Sequence, residues 1–402
     1  MPALSQLVNP LTISMKSLEI ELLLACARTQ ITDETTVAIC QILKHPINWE
    51  YLIKLASEHG VLPLFYWNMK HYFSDLIPVS ILGQLRDRFQ TTLQNNLLYT
   101  GELLRLLSHL KDNHISAIPF KGPVFAISAY RNLAFRKFCD LDLLVPKQDV
   151  PRVINLLSEQ GYQQPTFHDD KGYECQFFHP ATHVTIDLHW ALAPRFFHFP
   201  LSFSELQSRL QPVVLNGQTL QSLSAEDMLL SLSGEWLRDC CHERARLIQL
   251  CNVSELIRAT PQLDWTFLVQ QASKLGCERV LLLTLASAQA LLGTPLPESI
   301  LHQINADPLV TPLTKQICAH LWQQSDQGID QMPSIPTSAG TYKQELLLNM
   351  RERWIDSLTY YFYCLLVPTD QERKQLPLPP FLSLLYYPLR LARLIQKYWM
   401  GR

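Results

Sequence analysis

The sequence predicts an α+β chain in which a mixed helix-and-strand core lies between two helical regions. Three observations carry this reading. Apolar residues recur at helical spacing from Ser17 to about Leu110, short β-rich runs then alternate with helical ones for about a hundred residues, and helical spacing returns after about Asn216. Alternation of that kind implies strands that bury a face against helices. The expected division is a helical region over 1–95, the core over 96–215 and a helical domain over 216–402.

The elements follow in order. "SLEIELLLACAR" opens on Ser17, a capping residue, and puts Leu18, Leu22 and Ala25 on one stripe. "NWEYLIKLASEHG" starts at a capping Asn48 and stops at Gly60. "TTLQNNLLYTGELLRLLSHLKDNHI" places Leu97, Leu98, Leu103, Leu104, Leu107 and Leu110 along a long amphipathic helix. "SAIPFKG" is a short extended run closed by Gly122, and "PVFAISAYRN" is a helix with Pro123 at its first position. "FCDLDLLV" is a strand, "KQDVPRVINLLSEQGY" a helix ending at Gly161, and "YECQFFHP" and "HVTIDLHWAL" are strands. "SAEDMLLSLSGEWLRDC" is a helix with Ser224 as cap and acids in its first turn. Helical spacing continues through Leu292 and again from Pro308 to Trp322, and "QSDQGIDQMPSIPTSAGTY" reads as a loop.

Composition narrows the function classes. Of 402 residues, 47% are apolar and 17% charged, enough for a sizeable core. A formal net charge of −2 argues against a surface built to coat duplex nucleic acid. The ten cysteines are scattered without a CxxC pair, so buried free thiols in a reducing compartment are expected rather than a zinc site. The first residues lack a basic stretch followed by an apolar one, and the longest apolar runs, Val280–Leu292 and Tyr360–Val367, fall short of the roughly 20 residues of a spanning helix. A cytoplasmic location is the expectation.

The chemistry concentrates in "FRKFCDLDLLV". Side chains alternate along a strand, so Asp140 and Asp142 share one face and Cys139, Leu141, Leu143 and Val145 the other. Two carboxylates on one short, half-buried strand repel each other, and a divalent cation with an appetite for oxygen ligands resolves the conflict. Asp187, in "HVTIDLHW", completes a three-carboxylate cluster if the two strands are neighbours, an arrangement that holds two cations in phosphoryl transfer. His189 shares the face of Asp187 and is either a nucleotide contact, a general base or a structural hydrogen-bonder. In "PFKGPVFA" a turn at Gly122 opens a helix whose free N–H groups suit phosphate, with Lys121 beside them. Arg136 and Lys137 lie within reach of phosphate oxygens, and Arg136 has the alternative of pairing with a carboxylate of the cluster. His179 and His183 are spaced too loosely to indicate a metal site.

The ordered set "FKG … FRKFCDLDLLV … GY … VTIDLHW" resembles the uncharacterised bacterial nucleotidyltransferase family, within the superfamily built on the DNA-polymerase-β-like fold. The resemblance is closest from Phe120 to Trp190, and "WEYLIKLASEHGVLPLFYW" shares in it. It implies a small mixed sheet with helices, two Mg²⁺ ions with Mn²⁺ as a substitute, and a nucleoside triphosphate substrate such as ATP. Asp140 and Asp142 match the metal ligands, and Asp187 matches the third carboxylate, which also assists deprotonation of the acceptor hydroxyl. Two departures stand out. Lys121-Gly122 replaces the superfamily's Gly-Ser or Gly-Gly pair, and Glu235 or Trp236 and Asn252 stand where relatives tend to carry a His and an Asp.

The expected function is transfer of a nucleoside monophosphate to an acceptor hydroxyl on a small molecule, a peptide or protein, or a tRNA end. The alternative is a catalytically weak or inactive nucleotide- or partner-binding module of the same fold, as in an antitoxin or a tailoring-complex subunit. The segment 381–402 carries Leu391, Leu394, Ile395 and Tyr398 among Arg390, Arg393, Lys397 and Arg402. Such a basic helix either packs on the domain or meets a membrane surface or an anionic partner.

Overall fold

The structure, a computed structural model, describes residues 17–164, 172–193, 201–326, 345–353, 358 and 385–399. Five helices open it: α1 (Leu18–Cys26), α2 (Asp33–Ile42), α3 (Trp49–Glu58), α4 (Leu62–Tyr72) and α5 (Val79–Asp112). Ser17 and Asn48 cap α1 and α3 by accepting from the N–H groups of Ile20 and Tyr51. The 34 residues of α5 carry the chain from the helical part into the sheet.

The sheet forms from β1 (Ile118–Pro119), β2 (Leu141–Leu144), β3 (Glu174–Phe178) and β4 (Thr185–His189), in the order β1-β2-β4-β3. β2 and β4 are parallel, and the β1–β2 and β4–β3 pairs are antiparallel, so the sheet is mixed. Between these strands lie α6 (Gly122–Ser128) and α7 (Val150–Glu159). One face of the sheet is apolar: Leu141, Leu143, Ile186, Leu188 and Phe177 are buried against Leu103, Leu106 and Leu110 of α5 and Val153 and Leu157 of α7. The opposite face is left for polar chemistry.

After the short α8 (Phe203–Gln207) the chain makes a hairpin, β5 (Gln211–Leu215) and β6 (Gln218–Ser222), where the sequence pattern was expected to turn helical after about Asn216. The reason is local. Asn216 and Gly217 both have positive φ, 50° and 76°, the two-residue turn that Asn-Gly favours. Helix resumes at α9 (Ala225–Cys241), with Ser224 capping it, and continues through α10 (Leu247–Ala259), α11 (Trp265–Leu275), α12 (Glu278–Leu292), α13 (Glu298–Ala306) and α14 (Val310–Asp326). A last helix, α15, spans Tyr386–Trp399. The expected apolar stripe on α15 and the expected loop beyond Asp326 lie outside the described side chains and residues, as does the whole Tyr360–Val367 run. Among the described residues no helix is long and apolar enough to cross a membrane, and nine cysteines are free thiols.

The N-terminal and C-terminal helices share one apolar core, which runs from Leu22, Leu23, Leu52 and Phe65 to Trp236, Leu250, Leu283 and Leu321. His59, at the end of α3, ties the two sets together. Its Nδ1 accepts from the Leu247 N–H at 3.2 Å, its carbonyl accepts from Ile248 N–H at 3.1 Å, and its ring meets Trp322 edge-on at 4.9 Å. Burial, aided by the nearby Arg246 charge, holds the imidazole down at about 4. An unfolded His takes a proton near pH 6.5, so the unfolded state gains protons first as pH falls. Stability from this group is therefore complete above about pH 6.5 and is lost down to pH 4. Unfolding in urea should show about 2 kcal/mol lost to this residue between pH 7 and pH 5. His59→Gln, which keeps an acceptor and does not titrate, should lose about that much less over the same interval. An unchanged pH dependence in the variant would show that other groups control it.

Candidate active site

The polar face of the sheet is assembled by register. Asp142 on β2 lies directly opposite Asp187 on β4, and Asp187 lies opposite Gln176 on β3. In the adjacent row Leu144, His189 and Glu174 align in the same way. Asp140 is the residue before β2 begins, two positions from Asp142 and so on the same face. The three carboxylates expected from the sequence meet in one cleft of about 310 Å³, together with Lys121, Arg136, Lys137 and His189.

Lys121 arrives through β1. The Phe120 N–H donates to the Asp142 carbonyl at 3.4 Å, which sets the next residue against the acidic strand. The chain then turns at Gly122, with φ of 53°, a conformation that side chains resist, and a Cβ there would stand 3.5 Å from the Asp140 carbonyl oxygen. Gly122 opens α6, with Pro123 one position further in than expected. The Lys121 ammonium lies 3.6 Å from Asp142 Oδ1 and 3.1 Å from Glu235 Oε2, so it bridges the sheet to α9. Burial opposes its charge, but Asp142 and Glu235 outweigh burial and hold the ammonium above its ordinary range.

The carboxylates divide electrostatically. Burial pushes Asp140 up to about 7, and the Asp142 and Asp187 charges push the same way. Asp187 is also raised, by burial and then by Asp142, even though Gln176 Nε2 donates to its Oδ1 at 2.9 Å. Asp142 is buried too, yet Lys121 and His189 reverse that effect and hold it well below the usual carboxylate range. His189 is 4% exposed. Its Nε2 hydrogen-bonds Asp142 Oδ1 at 3.2 Å, and its Nδ1 is 3.3 Å from Glu174 Oε2 without a hydrogen bond between them. Asp142, Asp187 and His189 each offer a ligand atom within 4.8 Å of the other two.

Arg136 sits on the cleft wall, but its Nε donates to Asn252 Oδ1 at 3.1 Å rather than to a carboxylate of the cluster. The Tyr130 hydroxyl donates to the same oxygen at 2.7 Å. Asn252 is thus buried as a brace for the loop carrying Arg136, away from the cleft lining. Lys137 is exposed at the mouth.

Several lining residues escape a reading of the sequence. Glu174 faces the site only because β3 pairs with β4. Ser231, Gly234 and Arg238 line it from α9, on the same helical face as Glu235, which the family resemblance already singles out. Arg238 donates to the Tyr173 hydroxyl at 3.0 Å, closing the wall between α9 and β3. The visible signal is the i, i+3, i+4, i+7 set of small and charged residues in "SLSGEWLR", set among Leu232, Trp236 and Leu237.

The profile of a family described as uncharacterised nucleotidyltransferases matches residues 45–293, well over half of the chain. The chain belongs to that family. The matched span takes in the sheet, the cleft and α9, so all the residues described above fall inside the family's boundaries. Among solved structures, the lincosamide antibiotic adenylyltransferase LnuA, determined with lincomycin bound, matches at 16% identity over 40% of this chain and 97% of its own, with a TM-score of 0.29, a likeness too slight to argue from. No curated protein matches the chain.

Proposed function

We propose that this cleft transfers a nucleoside monophosphate from a nucleoside triphosphate to an acceptor hydroxyl and releases pyrophosphate, on a polymerase-β-like core. The observation that carries the reading is the register of β2 and β4, which sets Asp142 against Asp187 beside Asp140 and Lys121 in one cleft. The donor set fits divalent cations. Two of the three carboxylates are raised by burial and mutual repulsion, so the cluster holds more negative charge than Lys121 relieves. Asp140, Asp142 and Asp187 would hold Mg²⁺, which when bound neutralises phosphate charge and acidifies the acceptor hydroxyl.

The remaining work belongs to the chain itself. Lys121 and the N–H groups opening α6 bind the β- and γ-phosphates. Arg136, held by Asn252, and Lys137 stand on the same wall for the phosphate oxygens. Gln176 orients Asp187 through one carboxylate oxygen, which leaves the other to take the acceptor's proton. The acceptor oxygen then bonds to the α-phosphorus as the bond to the β-phosphate oxygen breaks. Positioning and charge neutralisation supply the rate. The α9 face of Ser231, Gly234, Glu235 and Arg238 closes the acceptor side.

The test is incubation of the purified protein with each α-labelled nucleoside triphosphate, a divalent cation and a cell extract. Label on an acceptor, with matching pyrophosphate, is the expected result. Nucleotide binding without label or pyrophosphate under every combination would instead establish the non-catalytic binding module.

A further inference from the structure

We propose that His189 is a nitrogen ligand of this cation site, oriented by Glu174, and that the site therefore selects a first-row transition-metal dication over Mg²⁺. The inference rests on the reading of Asp142 and Asp187 as cation ligands and goes beyond it in naming the donor set and the class of ion. Three facts point the same way. One ring nitrogen of His189, one oxygen of Asp142 and one of Asp187 already converge within 4.8 Å, and Nε2, hydrogen-bonded to Asp142 Oδ1 at 3.2 Å, is thereby turned toward the acidic pair. The imidazole is 96% shielded between β4, Phe120 and Tyr173, so its orientation is fixed before any ion arrives. The other ring nitrogen has a Glu174 oxygen 3.3 Å away with no hydrogen bond between them, and a small turn of that carboxylate would make the outer contact that aligns metal-bound histidines.

The selectivity follows from the nitrogen. Mg²⁺ takes oxygen ligands and keeps its waters, whereas imidazole favours transition metals. Mn²⁺ is the most stringent probe because it stands lowest in that series, and it is paramagnetic. Binding of Mn²⁺ to the full chain should be followed by electron paramagnetic resonance, and of Mg²⁺ by competition. The protein should bind Mn²⁺ at least about tenfold more tightly than Mg²⁺, and pulsed spectra of bound Mn²⁺ should show coupling to imidazole ¹⁴N. His189→Ala should remove the coupling and weaken Mn²⁺ at least about tenfold, with Mg²⁺ changed less than about threefold. Glu174→Gln should retain the coupling and weaken Mn²⁺ about tenfold. The wild-type spectrum needs no variant, so misfolding of His189→Ala does not decide the matter. Mn²⁺ bound without nitrogen coupling, or bound no more tightly than Mg²⁺, overturns the inference while leaving the carboxylate site standing. Failure of both ions to bind overturns the cation reading as well.

Discussion

Asp140→Asn is expected to reduce pyrophosphate release at least about a thousandfold while making the metal-free protein more stable by ~1–2 kcal/mol. The two effects share a cause. Asp140 is placed beside Asp142 and Asp187 with little solvent to shield it, and burial and both neighbours oppose its charge. Removing the charge relieves that conflict and preserves the shape of the side chain. The same excess of negative charge is what a cation would use, so catalysis loses what stability gains. Asp142→Asn should lose activity to the same degree but lower stability, because its charge holds Lys121 at 3.6 Å and His189 at 3.2 Å. Chemical unfolding at pH 8 with a chelator, alongside a pyrophosphate assay, separates the two substitutions. Equal stability changes of the same sign would show that the carboxylates are not divided as described, and full activity in Asp140→Asn would remove it from the site.

Much of the fold was legible because its local signals agree. Ser17, Asn48 and Ser224 each cap the helix that follows, and Gly161 ends α7 with φ of 88°. The alternation in "FCDLDLLV" and "HVTIDLHW" separates core-facing Leu141, Leu143, Ile186 and Leu188 from Asp142, Asp187 and His189, as the structure has it. Two features were not legible. The β5–β6 hairpin, with Val213 half-buried and Val214 exposed on its strands, offers a weak apolar pattern, and only its Asn216-Gly217 turn announces it. The single core shared by helices near both ends of the chain depends on contacts between residues more than 200 apart, such as the Cys251 thiol to the Ala27 carbonyl, for which local periodicity carries no signal.

The candidate site divides in the same way. Residues on one strand were found together, and Asp187 joined them once β2 and β4 were neighbours. The sequence reading makes Lys121 a phosphate contact; in the structure it is an ion-pair bridge between Asp142 and Glu235. Arg136 had two readings, and the brace at Asn252 belongs to neither, since it is set by the packing of α10 on the loop before β2. Glu174 and Arg238 required the register of β3 and the facing of α9, both decided by tertiary packing.

Trp236 follows Glu235 on α9 and is the largest wholly buried side chain among the described residues. Trp236→Ala is expected to cost about 4 kcal/mol, the sum of lost apolar transfer and a cavity the surrounding helices cannot fill. Trp236→Phe should cost only about 1 kcal/mol, because the indole Nε1 has no hydrogen-bond partner among the described residues and its loss removes a buried unsatisfied donor. The cavity lies in the core that joins α1–α4 to α9–α14, so its effect should spread. Amide exchange in α1 should quicken in Trp236→Ala, although Leu22 and Leu23 are distant from residue 236 in sequence. Pyrophosphate release should fall as well, since α9 presents Glu235 to Lys121 from the opposite side of the same turn. Urea unfolding and hydrogen exchange check both claims. A loss below about 1.5 kcal/mol in the alanine variant, or protection in α1 that does not change, would mean that the two helical sets are stabilised separately.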